Sequence, residues 1–303
     1  MIDLAALRSL TSIAGRGTLA RAAAELGYTP SAVSQQVKRL ERELGTPLLA
    51  PAGRGVVLTP AGRALVDASG DVFAALEVAS SAARSVAGGR PTGLLRIGAF
   101  STAIRGLLAP ALVDLGRHHP DLRVDIIELD PLEALSAVDV GSVDLAFVHD
   151  ADGVPTAAPA SVRQSVVHTD RGDLAVPAGH PLAEASASVE ETDLAAHSWV
   201  TSPPGTVCHQ WFRRLFAASG REPDVRHVAD DFSTQLALVA SSNVLALVPR
   251  LARPEVPDGV VVRQLATAPT REVRAAWRVS AHDSPAIRAV LSQWVDPDGG
   301  LGT

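Results

Sequence analysis

Residues 18–45 read TLARAAAELGYTPSAVSQQVKRLERELG, two helical patterns with almost nothing between them. Thr18 is placed to cap the alanine-rich LARAAAEL, in which Ala22, Ala23 and Leu26 allow close packing, and Gly27 suits the left-handed residue that ends it. After Tyr28 the signals repeat: Thr29 as cap, Pro30 at the first helical position, Gly45 as the stop. Val33, Val37, Leu40 and Leu44 recur at helical steps, so they share one face. The opposite face carries Ser31, Ser34, Gln35, Lys38, Arg39 and Arg42. On an isolated helix such a face is simply solvated. Two helices joined by so short a glycine-containing turn instead form the helix-turn-helix pattern, whose second helix enters the major groove of DNA.

The flanking sequence favours the second reading. Residues 1–63 hold eight Lys+Arg against four Asp+Glu, a net of +4, so the rest of a chain whose total is −6 carries −10. A phosphate polyanion is attracted to the first part and repelled by the second. With 303 residues, 47% hydrophobic and 20% charged, the chain can form two or three compact units with proper cores. It has no apolar run of about 18 residues, and MIDLAALRSL lacks a basic n-region and a cleavage site. A cytoplasmic protein without a membrane span is therefore expected. Cys208 is the one cysteine and cannot form an internal disulfide; inert packing is its ordinary role, and its function here stays open.

Upstream, Leu4, Leu7, Leu10 and Ala14 make a helical stripe ending near Gly15 and Gly17. Downstream, TPLLAPAGRGVVLTPAG suggests a two-stranded wing with Arg54 at its tip, suited to a minor-groove or phosphate contact. Thr59 and Pro60 open a helix to about Ala87 with Leu65, Ala68 or Ser69, Val72, Leu76, Ala79 and Ala83 at three and four spacing. That seam predicts pairing with a second copy; packing on its own domain is the other possibility. GGRPTG, residues 88–93, reads as a linker. Beyond it, LLRIGAF, RVDIIEL and VDLAFVH alternate with helical patterns, and a second cycle runs through DLAVP, SWVTS, CHQWFRRLFAASG, VRHVAD, STQLALVASS and VLALVP. Such alternation predicts parallel strands with crossover helices, in two lobes with a ligand cleft between them.

The linked set LARAAAELGYTPSAVSQQVKRLERELGTPLL, LTPAGRAL, GLLRIGAF, GSVDLAFV and GDLAVPAGHPLA, in this order and spacing, resembles the LysR-type transcriptional regulators along essentially the whole chain. The resemblance implies an α+β multidomain protein with three parts: an N-terminal winged helix-turn-helix over 1–59, a long dimerising linker helix and hinge over 60–90, and a two-lobed α/β effector domain like a periplasmic binding protein. Lobe 1 would span 91–165 completed by 268–303, with VRAAWRV as the returning strand, and lobe 2 would span 166–267. The implied partners are double-stranded operator DNA, a small-molecule effector, a second copy in a homodimer or homotetramer, and RNA polymerase, with no cofactor and no catalysis. Some positions depart from the family pattern. Pro30 and Gln35 stand where glutamine and arginine are common, Leu49, Ala50 and Pro51 replace a phenylalanine, a polar residue and an arginine, and Ser242 and Asn243 replace glycines. The last pair puts an L side chain where a left-handed turn would be expected.

Two residue sets follow. At the start of the recognition helix Thr29, Pro30, Ser31, Ser34 and Gln35 approach the bases, with Ser31, Ser34 and Gln35 the direct readers and Gln35 suited to a bidentate contact with adenine N6 and N7. Lys38, Arg39, Arg42 and Arg54 supply phosphate contacts. For the effector, LLRIGAF delivers Ser101 and Thr102 to a helix start whose N–H groups favour an anionic ligand such as a carboxylate. WVTSPPG delivers Thr201 and Ser202 from the other lobe, His149 follows the strand VDLAFV and brings a titratable ring, and Asp231 and Ser233 follow VRHV, read as a strand crossing between the lobes. Each Ser and Thr alone can equally be a helix cap. The chain has no G-x-S-x-G, Walker A, H-E-x-x-H or C-x-x-C motif, so an enzyme is not expected; a solute-binding protein would have no use for the basic N-terminal module.

Overall fold

The computed structural model describes residues 2–294 except 53–54, 87–88, 152, 154–155, 185–188, 190–193, 218–219 and 252. Three helices open the chain: α1 (Leu4–Arg16), α2 (Leu19–Leu26) and α3 (Pro30–Leu44). Asp3, Thr18 and Thr29 cap them through their side chains, and Gly17, Gly27 and Gly45 end them in the left-handed conformation. Ala6, Leu10, Ile13, Ala22, Ala23, Val33, Val37, Leu40 and Leu48 form their shared core. Leu4, expected on the buried stripe, is exposed, and Ile13 lies inside instead, because the face α1 turns to its neighbours is rotated from the leucine spacing. The Glu41 carboxylate accepts from the N–H groups of Leu48 (2.8 Å) and Leu49 (3.1 Å), fixing the chain as it enters the wing. The wing pairs β1 (Leu49–Ala52) with β2 (Gly55–Leu58) antiparallel. Its tip, including Arg54, lies outside the described residues.

Helix α4 (Pro60–Val86) starts on this core. Thr59 accepts from the N–H of Gly62 at 3.0 Å and donates to the Pro47 carbonyl at 2.8 Å. A Cβ at Gly62 would stand 2.2 Å from the Leu48 carbonyl oxygen, so glycine is what lets α4 approach the wing. Ser69 and Phe73 are buried, Phe73 under the Arg8 guanidinium at 5.3 Å, whereas Val72, Leu76 and Val78 are exposed. Within one chain, then, the expected seam is split. One edge packs inward and the other faces out.

The remainder is the two-lobed α/β unit. In chain order it contains β3 (Gly93–Ala99), helix α5 (Ser101–Ala103, a π-helical turn Ile104–Leu108, then Ala109–His118), β4 (Leu122–Glu128), α6 (Pro131–Asp139) and β5 (Leu145–His149). β6 (Val162–Pro177), β7 (Ser198–Thr201), α7 (Val207–Arg214), β8 (Asp224–Val228) and α8 (Phe232–Ser241) follow. β9 (Ala246–Pro249), β10 (Val260–Arg263), β11 (Thr270–Arg278) and α9 (Pro285–Leu291) complete it. The main sheet runs β10-β6-β11-β5-β3-β4, with β9 also on β6. β4, β3 and β5 are parallel and β11 returns antiparallel between β5 and β6; β7 and β8 form a separate parallel pair. Ile97, Phe147 and Trp277 anchor the lobe 1 core, and Trp199, Trp211 and Leu247 that of lobe 2. Lobe 1 also carries the N-terminal domain, since Arg16 Nη1 lies 3.6 Å from Glu133 Oε1 on α6.

Three expectations change. β6 is one strand of 16 residues that serves both lobes, so the boundary at 165/166 falls inside it. VRHV does not cross between lobes: β8 is an edge strand paired only with β7, and the crossing strands are β6 and β11. Ser242 closes α8 with an extended backbone (φ −136°, ψ 159°), so its side chain meets no left-handed turn. No helix of the described residues is long and apolar enough to cross a membrane.

Candidate DNA-reading helix and interlobe cleft

On α3 the sequence-predicted residues divide by what already holds them. Thr29 accepts from the Ala32 N–H at 3.2 Å as the N-cap, and Pro30 opens the first turn. Ser31, Gln35 and Lys38 are exposed and Ser34 is half-buried, whereas Gln36 turns inward to the Ser9 hydroxyl. Arg39 is ion-paired with Asp3, the cap of α1, so it fastens α3 to α1. Arg42 Nε donates to the Lys38 carbonyl at 3.3 Å along its own helix.

The second set gathers at the carboxyl ends of parallel strands, where open α/β sheets place their ligands. Ser101 and Thr102 follow β3, His149 ends β5, and Thr201 and Ser202 end β7. Phe100, at the N-cap of α5, offers that helix start no side-chain acceptor. Asp231 and Ser233 sit at the rim, exposed; Asp231 caps α8, accepting from the Thr234 N–H at 2.9 Å. Thr102, His149, Thr201 and Ser202 are buried.

Between them stands Arg271, which sequence reading missed. Its guanidinium donates to Asp170 through Nε (3.0 Å) and Nη2 (2.8 Å) and to Thr102 Oγ1 (2.9 Å). The guanidinium lies over the Phe100 ring of lobe 1, 5.4 Å from its centroid, and over the Trp211 ring of lobe 2, at 5.1 Å. Asp170 also accepts from the N–H groups of Arg171 and Leu251, both at 2.8 Å, so one carboxylate ties β6 to the turn after β9 and to β11. The pattern held a signal: in TREVRAAWR, Arg271 shares the inward phase of Val273, Ala275 and Trp277, where a charge has to be paired.

Cys208 also proves to be a cleft residue. Its Sγ lies 3.5 Å from His149 Nε2, across the two lobes. Burial, and next the Arg271 guanidinium, lower the His149 pKa to about 3, against the hydrogen bond to the Asp150 carbonyl at 2.8 Å. The ring is therefore neutral, donating from Nδ1 to that carbonyl and accepting at Nε2, and not the titrating group expected from sequence. Burial pushes the Cys208 thiol up to about 11 with help from Asp230 and Asp130, Arg271 opposing, so it remains an S–H donor. Gln235, fully buried, donates to the Ala229 carbonyl at 2.8 Å and reaches Ser202 Oγ at 3.4 Å. The cavity lined by Thr201, Ser202, Cys208, Trp211 and Gln235 is about 10 Å³, room for one water. Among the described residues, no group of three or more His, Cys, Asp or Glu is placed to hold a metal ion.

Comparison with known proteins places this geometry. The model described as "LysR substrate binding domain" matches residues 88–296, and "Bacterial regulatory helix-turn-helix protein, lysR family" matches residues 4–63. The small neutral protease regulatory protein of Streptomyces coelicolor is 31% identical over 269 residues, 87% of this chain and 82% of that one. The HTH-type transcriptional regulator TtuA of Agrobacterium vitis is 28% identical over 292 residues, 93% of each. Among solved structures, a full-length OxyR variant from Pseudomonas aeruginosa has TM-score 0.70 at 22% identity, over 96% of this chain and 94% of that chain. CbnR complexed with its target DNA has TM-score 0.59 at 20% identity, over 96% and 98%. At these identities the two structures bear on the fold.

Proposed function

Since this chain belongs to the LysR family of bacterial helix-turn-helix regulators, we propose that its specific work is to couple a small effector held between the lobes to the way paired copies of α3 sit on an operator. Ser31, Ser34 and Gln35 are the base-reading side chains and Lys38 the main phosphate contact of α3, with Arg42 and Arg54 as further phosphate contacts. Arg39, already bound to Asp3, positions the helix. The dimer forms along the open edge of α4, and further pairing of effector domains gives the tetramer. Such a regulator works on chromosomal DNA in the cytoplasm, where RNA polymerase is the further partner.

The observation that carries the effector reading is the cross-lobe contact at Arg271, whose guanidinium lies over Phe100 from one lobe and Trp211 from the other. These contacts, made by residues of both lobes, change when the lobes move. A ligand that binds the open and closed forms unequally shifts their balance by that difference and no more. Cleft polarity at Thr102, Thr201 and Ser202 with the Arg271 cation suits an effector bearing an anionic group.

Thr102→Val separates the two inputs. Operator affinity without effector is expected to stay within about twofold, while the effector-dependent change in that affinity is lost, as read by fluorescence anisotropy on labelled operator. An undiminished response in the variant would place the effector elsewhere.

A further inference from the structure

The cleft carries charge of both signs at different depths. At its floor Arg271 has no exposed surface. Nε and Nη2 are taken by Asp170 and Thr102, and Nη1 is buried without an acceptor. A buried donor left unpaired costs on the order of 1–3 kcal/mol, and the group that relieves it best is a carboxylate. Thr102 accepts from Arg271, so its own hydroxyl proton can be given to the same ligand. The floor is nevertheless not a simple cationic trap, because Asp170, as buried as Arg271, cancels its charge. A bare anion would bring an uncompensated charge into a poorly hydrated place.

At the mouth the balance is negative. Asp130 of lobe 1, half-buried at the cap of α6, stands one residue past Leu129, whose N–H donates to the Ala99 carbonyl at the end of β3 at 3.0 Å; Asp230 of lobe 2, just before the cap of α8, stands one residue past Ala229, whose N–H donates to the Thr201 carbonyl at the end of β7 at 3.0 Å. Burial raises the Asp130 carboxyl above the usual range, the Leu132 N–H opposes this, and repulsion from Asp230 and Glu133 adds to it. Among the described residues neither Asp130 nor Asp230 has a cation paired with it. Like charges brought toward each other from opposite lobes repel, and a positive group between them turns that repulsion into attraction.

We infer that the effector is a small zwitterion of the amino-acid class, its carboxylate accepting from Arg271 Nη1 and Thr102 and its ammonium set between Asp130 and Asp230. This rests on the reading of the cleft as the effector site. A zwitterion satisfies the floor donor, adds no net charge, and replaces the interlobe repulsion by an attraction that holds the lobes together.

The probes are the twenty common L-amino acids and 4-aminobutyrate, each with the acid that lacks the amine and the amine that lacks the carboxylate, titrated by calorimetry into the full chain. At least one amino acid is expected to bind, with both of its truncated analogues at least about tenfold weaker, a difference of about 1.4 kcal/mol. Asp130→Asn, which keeps the helix cap, and Asp230→Asn, on the surface, should each weaken the amino acid about fivefold or more and leave the amine-free acid within about twofold. Binding of no amino acid, equal binding of the amine-free acid, or indifference to both asparagine variants overturns the proposal. The cleft reading fails by a different sign: a ligand whose affinity Thr102→Val does not change.

Discussion

A guanidinium with no exposed surface needs partners from the fold, and Arg271 takes a carboxylate, a hydroxyl and two aromatic rings from three separate parts of the chain, leaving Nη1 open. Its field also decides the state of its neighbours, since after burial it is the main cause that lowers the His149 pKa to about 3. The folded value lies below the ordinary 6.5, so the unfolded chain takes up a proton that the folded chain refuses. The stabilisation this gives is complete above about pH 6.5 and declines as pH falls toward 3, by roughly 1.4 kcal/mol for each unit. The ring resonances of His149 are accordingly expected to stay at neutral-imidazole positions in NMR spectra from pH 8 to pH 5; a midpoint between 6 and 7 would contradict the account. The polar set of Thr102, His149, Thr201 and Ser202 was legible in sequence because each ends an apolar strand. Arg271 and Asp170 were harder to see. They lie 101 residues apart and only the fold makes them a pair.

Among the elements, α3 divides its cations by what already holds them. Lys38 is exposed, whereas Arg39 is tied to Asp3. Lys38→Ala should therefore reduce the slope of log affinity against log salt by about 0.9 on operator and nonspecific DNA alike. Arg39→Ala should act mainly on thermal stability and leave the slope within about 0.3. Equal slopes for Lys38→Ala and the unchanged chain in anisotropy titrations would remove Lys38 from the phosphate contacts. In α4, Phe73 is buried and Leu76 exposed, so a charge at Leu76 strikes the expected pairing edge without entering this chain's own core. Leu76→Asp should turn dimer to monomer in sedimentation velocity while the circular dichroism of the folded chain persists; a dimer of undiminished mass would refute that edge. The helices were legible from caps, stops and spacing, each a local signal. The part of β6 before DLAVP, with Asp170 and Gly172 in it, carries no such signal. A Cβ at Gly172 would lie 2.6 Å from Leu247 and 2.8 Å from Trp211, so this glycine answers to the packing of lobe 2, which is invisible along the chain.

Over the whole molecule, charge and topology assign separate tasks to separate parts. The first 63 residues carry +4 and the rest −10, so electrostatics alone turns the α3 side toward a duplex and keeps the effector domain off it. Among the described residues β6 pairs with strands of both lobes and β11 lies against it, with Asp170 and Arg271 facing each other on the two. Relative movement of the lobes bends these strands, and the proposed effector carboxylate lies against Arg271 on one of them. The division into a DNA-reading module, a long helix and two α/β lobes was legible in order and composition. The path of the crossing strands was not, because strand pairing between residues more than a hundred apart leaves no local mark. The central claim, that paired copies of α3 read DNA under control of the cleft, is most directly tested by footprinting the purified chain on DNA upstream of its own gene, with and without the binding amino acid. The account expects two protected half-sites whose centres lie about one helical turn (~34 Å) or a multiple apart, a pattern that changes with the amino acid and weakens with Gln35→Ala. No protection even at low salt, or protection that neither the ligand nor Gln35→Ala alters, would contradict it.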